Sequence, residues 1–228
     1  LDAHTEPMAD HGMGMILTLA HHLKDLWEDQ KLRRWNTQYY DGEMLELYGS
    51  TMGILGIGGI GSAVAKRARS FGMSVYGIDL DDSLLPEGVQ EVWGPDRISE
   101  LMAISDWFVV AVPFTKETEN LMDDTQLDFL KKGARIIVLS RGGIVEEASL
   151  LERLEDGSIG GAGLDATSIE PLPKSSGLWS HPNVLITPHV SALTTKMWDN
   201  RREIFKENLR RFVKGKPFLY VCDKERGY

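Results

Sequence analysis

Cysteine is nearly missing from this chain: Cys222 is the only one among 228 residues. No intrachain disulfide can form, so crosslinks are excluded as a source of stability. A chain of this length buries a sufficient core without them, and the composition reads as that of a protein of a reducing compartment, cytoplasmic by expectation. Cys222 reads as a small filler near the C-terminus. An excess of positive charge is missing too. Lys and Arg total 25 against 34 Asp and Glu, a formal net charge of -9, and that field opposes phosphate backbones and anionic membranes. Neither nucleic acid nor a membrane is expected as a partner. The apolar runs, "MILTLA" and "WFVVAVPF" among the longest, fall well short of the roughly 20 residues of a membrane span. No charged-then-apolar leader opens the sequence, and it holds no internal repeat or low-complexity tract.

What is present is an alternation of two periodicities. Residues 5–27 have a helical pattern, with Ile16, Leu19, Leu23 and Leu26 recurring on one side and Pro7 suited to a first turn. A polar connector bearing Trp35, Tyr39 and Tyr40 follows to about Gly49, and these aromatics are expected to cover the core rather than a partner. From Thr51 to Ile186, short apolar runs at 52–56, 74–78, 107–112, 135–139, 160–164 and 184–186 alternate with helical segments near 60–71, 97–104, 124–131 and 147–155. That order predicts a doubly wound α/β fold, a parallel sheet wrapped by helices. Asp123 is placed to cap the helix from 124, and Gly133 to end it. A last helix over about 194–213 carries Trp198, Phe205, Leu209 and Phe212 at the spacing of one buried stripe, with Gly215 and Pro217 as stop signals.

The first predicted strand runs into "GIGGIG", where Gly56, Gly58, Gly59, Ile60 and Gly61 lead directly into a helix. Glycines there let the backbone turn tightly and approach a pyrophosphate, which the amides and dipole of the helix start then stabilise. The triplet alone is a weak signal. Its context strengthens it, because the next strand ends at Asp79, close to the distance at which an acid meets the adenosine ribose. An acid accepts hydrogen bonds from both ribose hydroxyls and repels a 2′-phosphate, so NAD is expected over NADP.

In an open parallel sheet, ligands bind beyond the carboxyl ends of the strands. Those ends carry Pro113 and Thr115, then Ser140 and Arg141, then Asp165, and finally His189 in "ITPH", with Glu170 following in "ATSIEPLP". Their chemistry fits interconversion of a hydroxyl and a carbonyl beside a carboxylate. A guanidinium clamps the carboxylate in two hydrogen bonds, an imidazole gives or takes the hydroxyl proton, and an acid beside the imidazole favours its protonated form. Arg141, His189 and Glu170 suit these roles. Each also has an ordinary structural use, as ion-pair partner, helix cap or loop acid. The other histidines lack metal-ligand spacing, so no metal is expected.

Taken together, "MADHGMGMILTLAHHL", "GILGIGGIGSAVAKRARSFGMSVYGID", "VPFTKETENLM", "LSRGGIVEEASL", "GAGLDATSIEPLP" and "PNVLITPHVSA" resemble, in order, the coenzyme domain of the D-isomer-specific 2-hydroxyacid dehydrogenases. The resemblance implies a Rossmann NAD-binding domain over 5–190, with 191–228 belonging to a second, substrate domain of which little else is present here. It implies Arg141 as the substrate-carboxylate arginine, His189 as the catalytic histidine and Glu170 as its paired acid. Asp165 would lie near the nicotinamide, and Gly56, Gly58, Gly59, Ile60, Gly61, Asp79, Pro113, Thr115, Ser140, Arg141, Asp165 and His189 would meet the cofactor. The implied substrate is a small 2-hydroxy or 2-oxo acid, handled as in glyoxylate or hydroxypyruvate reductases, and the implied assembly is a homodimer.

Two departures bear on fine geometry: Val138 stands where the family usually has asparagine, and Ala166 and Thr167 replace a common Val-Phe pair. With the substrate domain largely missing, the chain is expected to bind NAD(H) with little turnover. An NAD-responsive corepressor-like protein, or a formate- or phosphite-type dehydrogenase of the same family, remain alternative readings.

Overall fold

The structure, a computed structural model, describes residues 3–83 and 85–224. The segment 191–228, expected to belong to the substrate domain, therefore has its last four residues outside the described part. The chain opens with α1 (Thr5–Ala20), α2 (Leu23–Lys31) and α3 (Thr37–Tyr40). It then enters the alternating part: β1 (Thr51–Leu55), α4 (Gly59–Ser70), β2 (Ser74–Ile78), β3 (Glu91–Trp93), α5 (Ile98–Ile104) and β4 (Trp107–Val110). After these come α6 (Asp124–Leu127), β5 (Ala134–Val138), α7 (Glu147–Glu155), β6 (Ile159–Leu164), β7 (Val184–Ile186) and α8 (Thr195–Val213).

Seven parallel strands form one sheet in the order β3-β2-β1-β4-β5-β6-β7. The strands read as near-continuous apolar runs because both faces are covered. Ile54, Val109 and Ile137 pair across β1, β4 and β5 and point into the core beneath α1 and α4. Their neighbours Leu55, Val110 and Val138 point to the opposite core, beneath α5 and α7. After β3 the chain crosses to the far side of β1, so the loops leaving β1 and β4 diverge and open a crevice at the carboxyl edge.

Several elements differ from the expectation, among them the short α3 inside the expected connector. The helix over 5–27 is broken at His22, which adopts a left-handed φ of 49°. Its ring meets Asp25 at 3.2 Å and the Glu43 carbonyl at 3.3 Å, fixing a corner that hydrophobic spacing does not encode. The helix from 124 has its Asp123 cap, which accepts from the Gln126 amide at 2.8 Å, but ends at Leu127. There, tighter bonds from Phe129 to Gln126 and from Leu130 to Leu127 wind it down towards Gly133. Strand β3 was not expected, since three residues are too few to show an alternation.

The aromatic stripe of α8 is not buried by any described residue. Met197 is the one buried side chain of that helix, while Trp198, Phe205, Leu209 and Phe212 are exposed. In the connector, Tyr40 is buried and bonded to Asp29, but Trp35 is 96% exposed and does not cover the core. Among the described residues, no helix is long and apolar enough to cross a membrane.

Candidate active site

The loop after β1 depends on two close approaches. Gly56 has a φ of +95°, and a side chain there would meet Val112 and Ala111 of the neighbouring strand end. At Gly61 a Cβ would lie 1.9 Å from the Gly56 carbonyl oxygen, so only glycine lets α4 start this near the turn. The Asp79 carboxylate ties the loop to β2 by accepting from the Ile57 amide at 2.8 Å.

The start of α4 suits a dinucleotide. Gly58, its N-cap, makes no side-chain capping bond, and a Cβ built there finds open space within 4 Å. The helix-start amides are thus left to an outside acceptor, which a pyrophosphate provides.

Across the crevice, the end of β5 presents Ser140 and Arg141, and a close backbone approach fixes them against the next loop. A Cβ on Gly142 would lie 1.9 Å from the Thr167 carbonyl carbon, so the turn after Arg141 and the Thr167 segment touch main chain to main chain. Arg141 is exposed and makes a hydrogen bond at 2.8 Å to the Ser140 carbonyl, with no carboxylate in ion-pair range among the described residues. Ser140 is 5% exposed, and its hydroxyl is the one buried side-chain polar atom left without a partner among the described residues. An incoming polar group is the natural complement to that orphan.

Glu170 and His189 meet directly, Nδ1 lying 2.9 and 3.1 Å from the two carboxylate oxygens. Burial pushes the Glu170 carboxyl up. The bonds from His189 and the Thr167 amide, with the charges of His189 and Arg141, outweigh this and hold it below the usual glutamate value.

His189 sits at a left-handed φ of 54°. The turn is anchored from below by buried Asp165, whose Oδ1 accepts from Val190 at 3.0 Å and whose Oδ2 accepts from Ser191 at 3.0 Å. The Thr187 hydroxyl also donates to Oδ1 at 2.6 Å, and His11 from α1 meets that hydroxyl at 2.9 Å. Because the Thr187 proton is committed to the carboxylate, His11 must present Nε2–H.

Ile60, Pro113, Ser140, Arg141, Glu170 and His189 line one cavity of about 930 Å³. Gly56, Gly58, Gly59, Gly61 and Asp79 lie on the adjoining β1 and β2 edge, Asp165 lies beneath the His189 turn, and Thr115 is occupied in its own turn with Thr118. Reading strand ends did not single out Thr187, although it directly follows β7, nor His11, which lies on α1 within "MADHGMGMILTLAHHL" but away from every strand end. Among the described residues, no group of three His, Cys, Asp or Glu is arranged to hold a metal.

This fold and site define a doubly wound dinucleotide-binding domain with a polar Arg, Glu and His cluster beside the nucleotide crevice. Residues 13–191 match the family described as D-isomer specific 2-hydroxyacid dehydrogenase, NAD binding domain, and the chain belongs to that family. It is 39% identical over 219 residues to a D-3-phosphoglycerate dehydrogenase of Bacillus subtilis, covering 96% of this chain and 41% of that protein. To a glyoxylate reductase of Thermococcus kodakarensis it is 33% identical over 233 residues, covering 98% of this chain and 68% of the relative. The chain thus spans about two fifths of the length of the D-3-phosphoglycerate dehydrogenase. A similar solved structure is the D-isomer specific 2-hydroxyacid dehydrogenase from Xanthobacter autotrophicus Py2 in complex with NADPH and MES. The TM-score is 0.85 at 32% identity, covering 98% of this chain and 90% of that one.

Proposed function

We propose that this chain is the coenzyme-binding part of an NAD-dependent D-2-hydroxyacid dehydrogenase, interconverting a small 2-hydroxy acid and its 2-oxo acid. The observation that carries the reading is the shared cavity in which Arg141 and the Glu170–His189 pair meet at the carboxyl edge of the sheet. Gly58 and the start of α4 would hold the pyrophosphate, Asp79 the adenosine ribose, and the Ser140 hydroxyl a polar group at the nicotinamide end. NAD(H) bound there supplies the hydride. Asp79 places negative charge where a 2′-phosphate would lie, which favours NAD over NADP.

The chain's own residues do the rest. Arg141 holds the substrate carboxylate through two parallel N–H bonds and so orients the carbonyl. Glu170 occupies Nδ1 of His189, leaving Nε2 to meet the substrate oxygen. His189 donates its proton to that oxygen in the reducing direction and accepts it in the other. Asp165 fixes the turn that aims the ring, through the amides of Val190 and Ser191.

Residues 5–190 form the coenzyme unit in this reading, and 191–228 the segment that packs on a substrate domain. The bare aromatic face of α8 supports that division. The exposed side chains of Trp27, Trp35, Tyr39 and Tyr48 support a homodimer contact near the connector. Alone, these residues should bind NADH yet turn over glyoxylate, hydroxypyruvate, pyruvate or branched 2-oxo acids slowly, since among the described residues nothing closes over the site to exclude water. NADH fluorescence titration and NADH absorbance with that panel test this reading. Arg141→Lys should keep NADH affinity and lose response to the acids, because a point charge does not replace a bidentate fork. Failure to bind NADH overturns the reading.

A further inference from the structure

We propose that Arg201 forms a second anion site in the cavity that Arg141 and His189 line, so that the acid taken there carries a second anionic group remote from its 2-oxo carbon. The inference rests on the dehydrogenase reading and narrows its substrate class.

Helix α8 holds four arginines, and three of them pair with carboxylates on the same helix: Arg202 with Asp199, and Arg210 and Arg211 with Glu207. Arg201 has no such partner among the described residues. Its guanidinium lies over the Trp198 ring, 5.0 Å from the centroid, and the side chain lines the cavity one turn after buried Met197. Stacking of that kind pre-organises a planar fork, while its N–H donors stay available for an oxyanion.

The charge balance of the cavity points the same way. In a chain of net charge -9, this lining contains two arginines against one carboxylate, Glu170, and that carboxylate is bound to His189. A monoanionic 2-oxo acid has one carboxylate, which Arg141 takes. A second cation in the same cavity is complemented by a second anion, either a carboxylate or a phosphate monoester, at the far end of the substrate.

The test is isothermal titration of 2-oxo acids into the protein saturated with NAD+, a combination with no hydride to transfer. Two pairs differ in the distal charge: 2-oxoglutarate against 2-oxovalerate, and 3-phosphohydroxypyruvate against hydroxypyruvate. The member of at least one pair that carries the distal anion should bind at least roughly tenfold tighter, the effect of one charged hydrogen-bonded contact. Which pair shows the gap distinguishes carboxylate from phosphate. Arg201→Gln should bring the member with the distal anion down to its partner's affinity, and because Arg201 is exposed the change leaves the core untouched. Equal binding within both pairs, or a gap that survives Arg201→Gln, overturns the anion site and leaves the dehydrogenase reading standing. Absence of binding by all four acids overturns both.

Discussion

The Thr187 hydroxyl donates to the buried Asp165 carboxylate at 2.6 Å, and the same hydroxyl oxygen is met by His11 at 2.9 Å. A helix at the start of the chain is thereby joined, through one threonine, to the carboxylate that holds the amides on the C-terminal side of His189. Thr187→Val keeps the shape but removes both bonds, leaving a buried carboxylate short of a donor. Unfolding in urea should show a loss of about 1–3 kcal/mol. Amide exchange at Val190 and Ser191 should also accelerate relative to the core strands. A variant with wild-type stability and exchange would show that the contact anchors nothing.

Gly142 is the second place where the site depends on a single atom. A methyl at that position falls inside the Thr167 backbone, 1.9 Å from the carbonyl carbon. Because the obstacle is main chain, the loop carrying Glu170 must move. Gly142→Ala should cost roughly 1–3 kcal/mol, the range for overpacking a tight contact. It should also weaken 2-oxo acid binding while NADH affinity, set at the β1 edge, stays near wild type. Equal loss of both ligands would place the damage in the whole sheet edge.

Much of this was legible in advance, and the reasons differ by element. The sheet announced itself because Ile54, Val109 and Ile137 are buried on one face and Leu55, Val110 and Val138 on the other, which makes the middle of each of these runs apolar. Arg141, Glu170 and His189 were singled out because ligands collect at strand ends, a property of topology, and the structure brings the three to one cavity. The corner at His22 was not legible, since it comes from a ring bonded to a carbonyl 21 residues on. His11 was hidden for the same reason: its partner Thr187 lies 176 residues away, and one histidine on a helix face carries no periodic signal. The α8 stripe was legible as an apolar face in need of a partner, but sequence spacing records a face without recording what covers it.

Arg153 gives a stability prediction remote from the site. Its nearly buried guanidinium reaches Asp124 at 2.7 Å and Asp128 at 2.6 Å, and also donates to the Asp124 and Ser149 carbonyls, clamping α7 onto α6. Burial lowers its pKa, but the bonds and charges of the two aspartates outweigh that and raise it, so the cation is retained. Arg153→Met keeps the length of the side chain and loses every bond. The aspartates are largely exposed and rehydrate, so the expected loss is about 1–3 kcal/mol rather than the larger cost of stranding buried charges. Urea unfolding checks the magnitude, and NADH titration should show no change.

Glu170 makes stability depend on pH in a definite direction. In the folded chain its carboxyl is held below the usual glutamate value by His189, the Thr167 amide and Arg141, against the upward push of burial. A carboxyl whose pKa falls on folding binds fewer protons in the native state than in the unfolded one near its titration range. It therefore adds stability that is fully present above the unfolded value of about 4.3 and is lost as pH falls through the lower, folded value. Glu170→Gln removes this contribution without removing bulk. The wild-type advantage over the variant should be present at about pH 6, and it should narrow steadily as the pH is lowered through and below the ordinary glutamate range. Paired urea titrations at several pH values measure that difference directly. A gap that stays constant across the acid range would mean that the stabilisation comes from shape rather than from the ionised pair with His189.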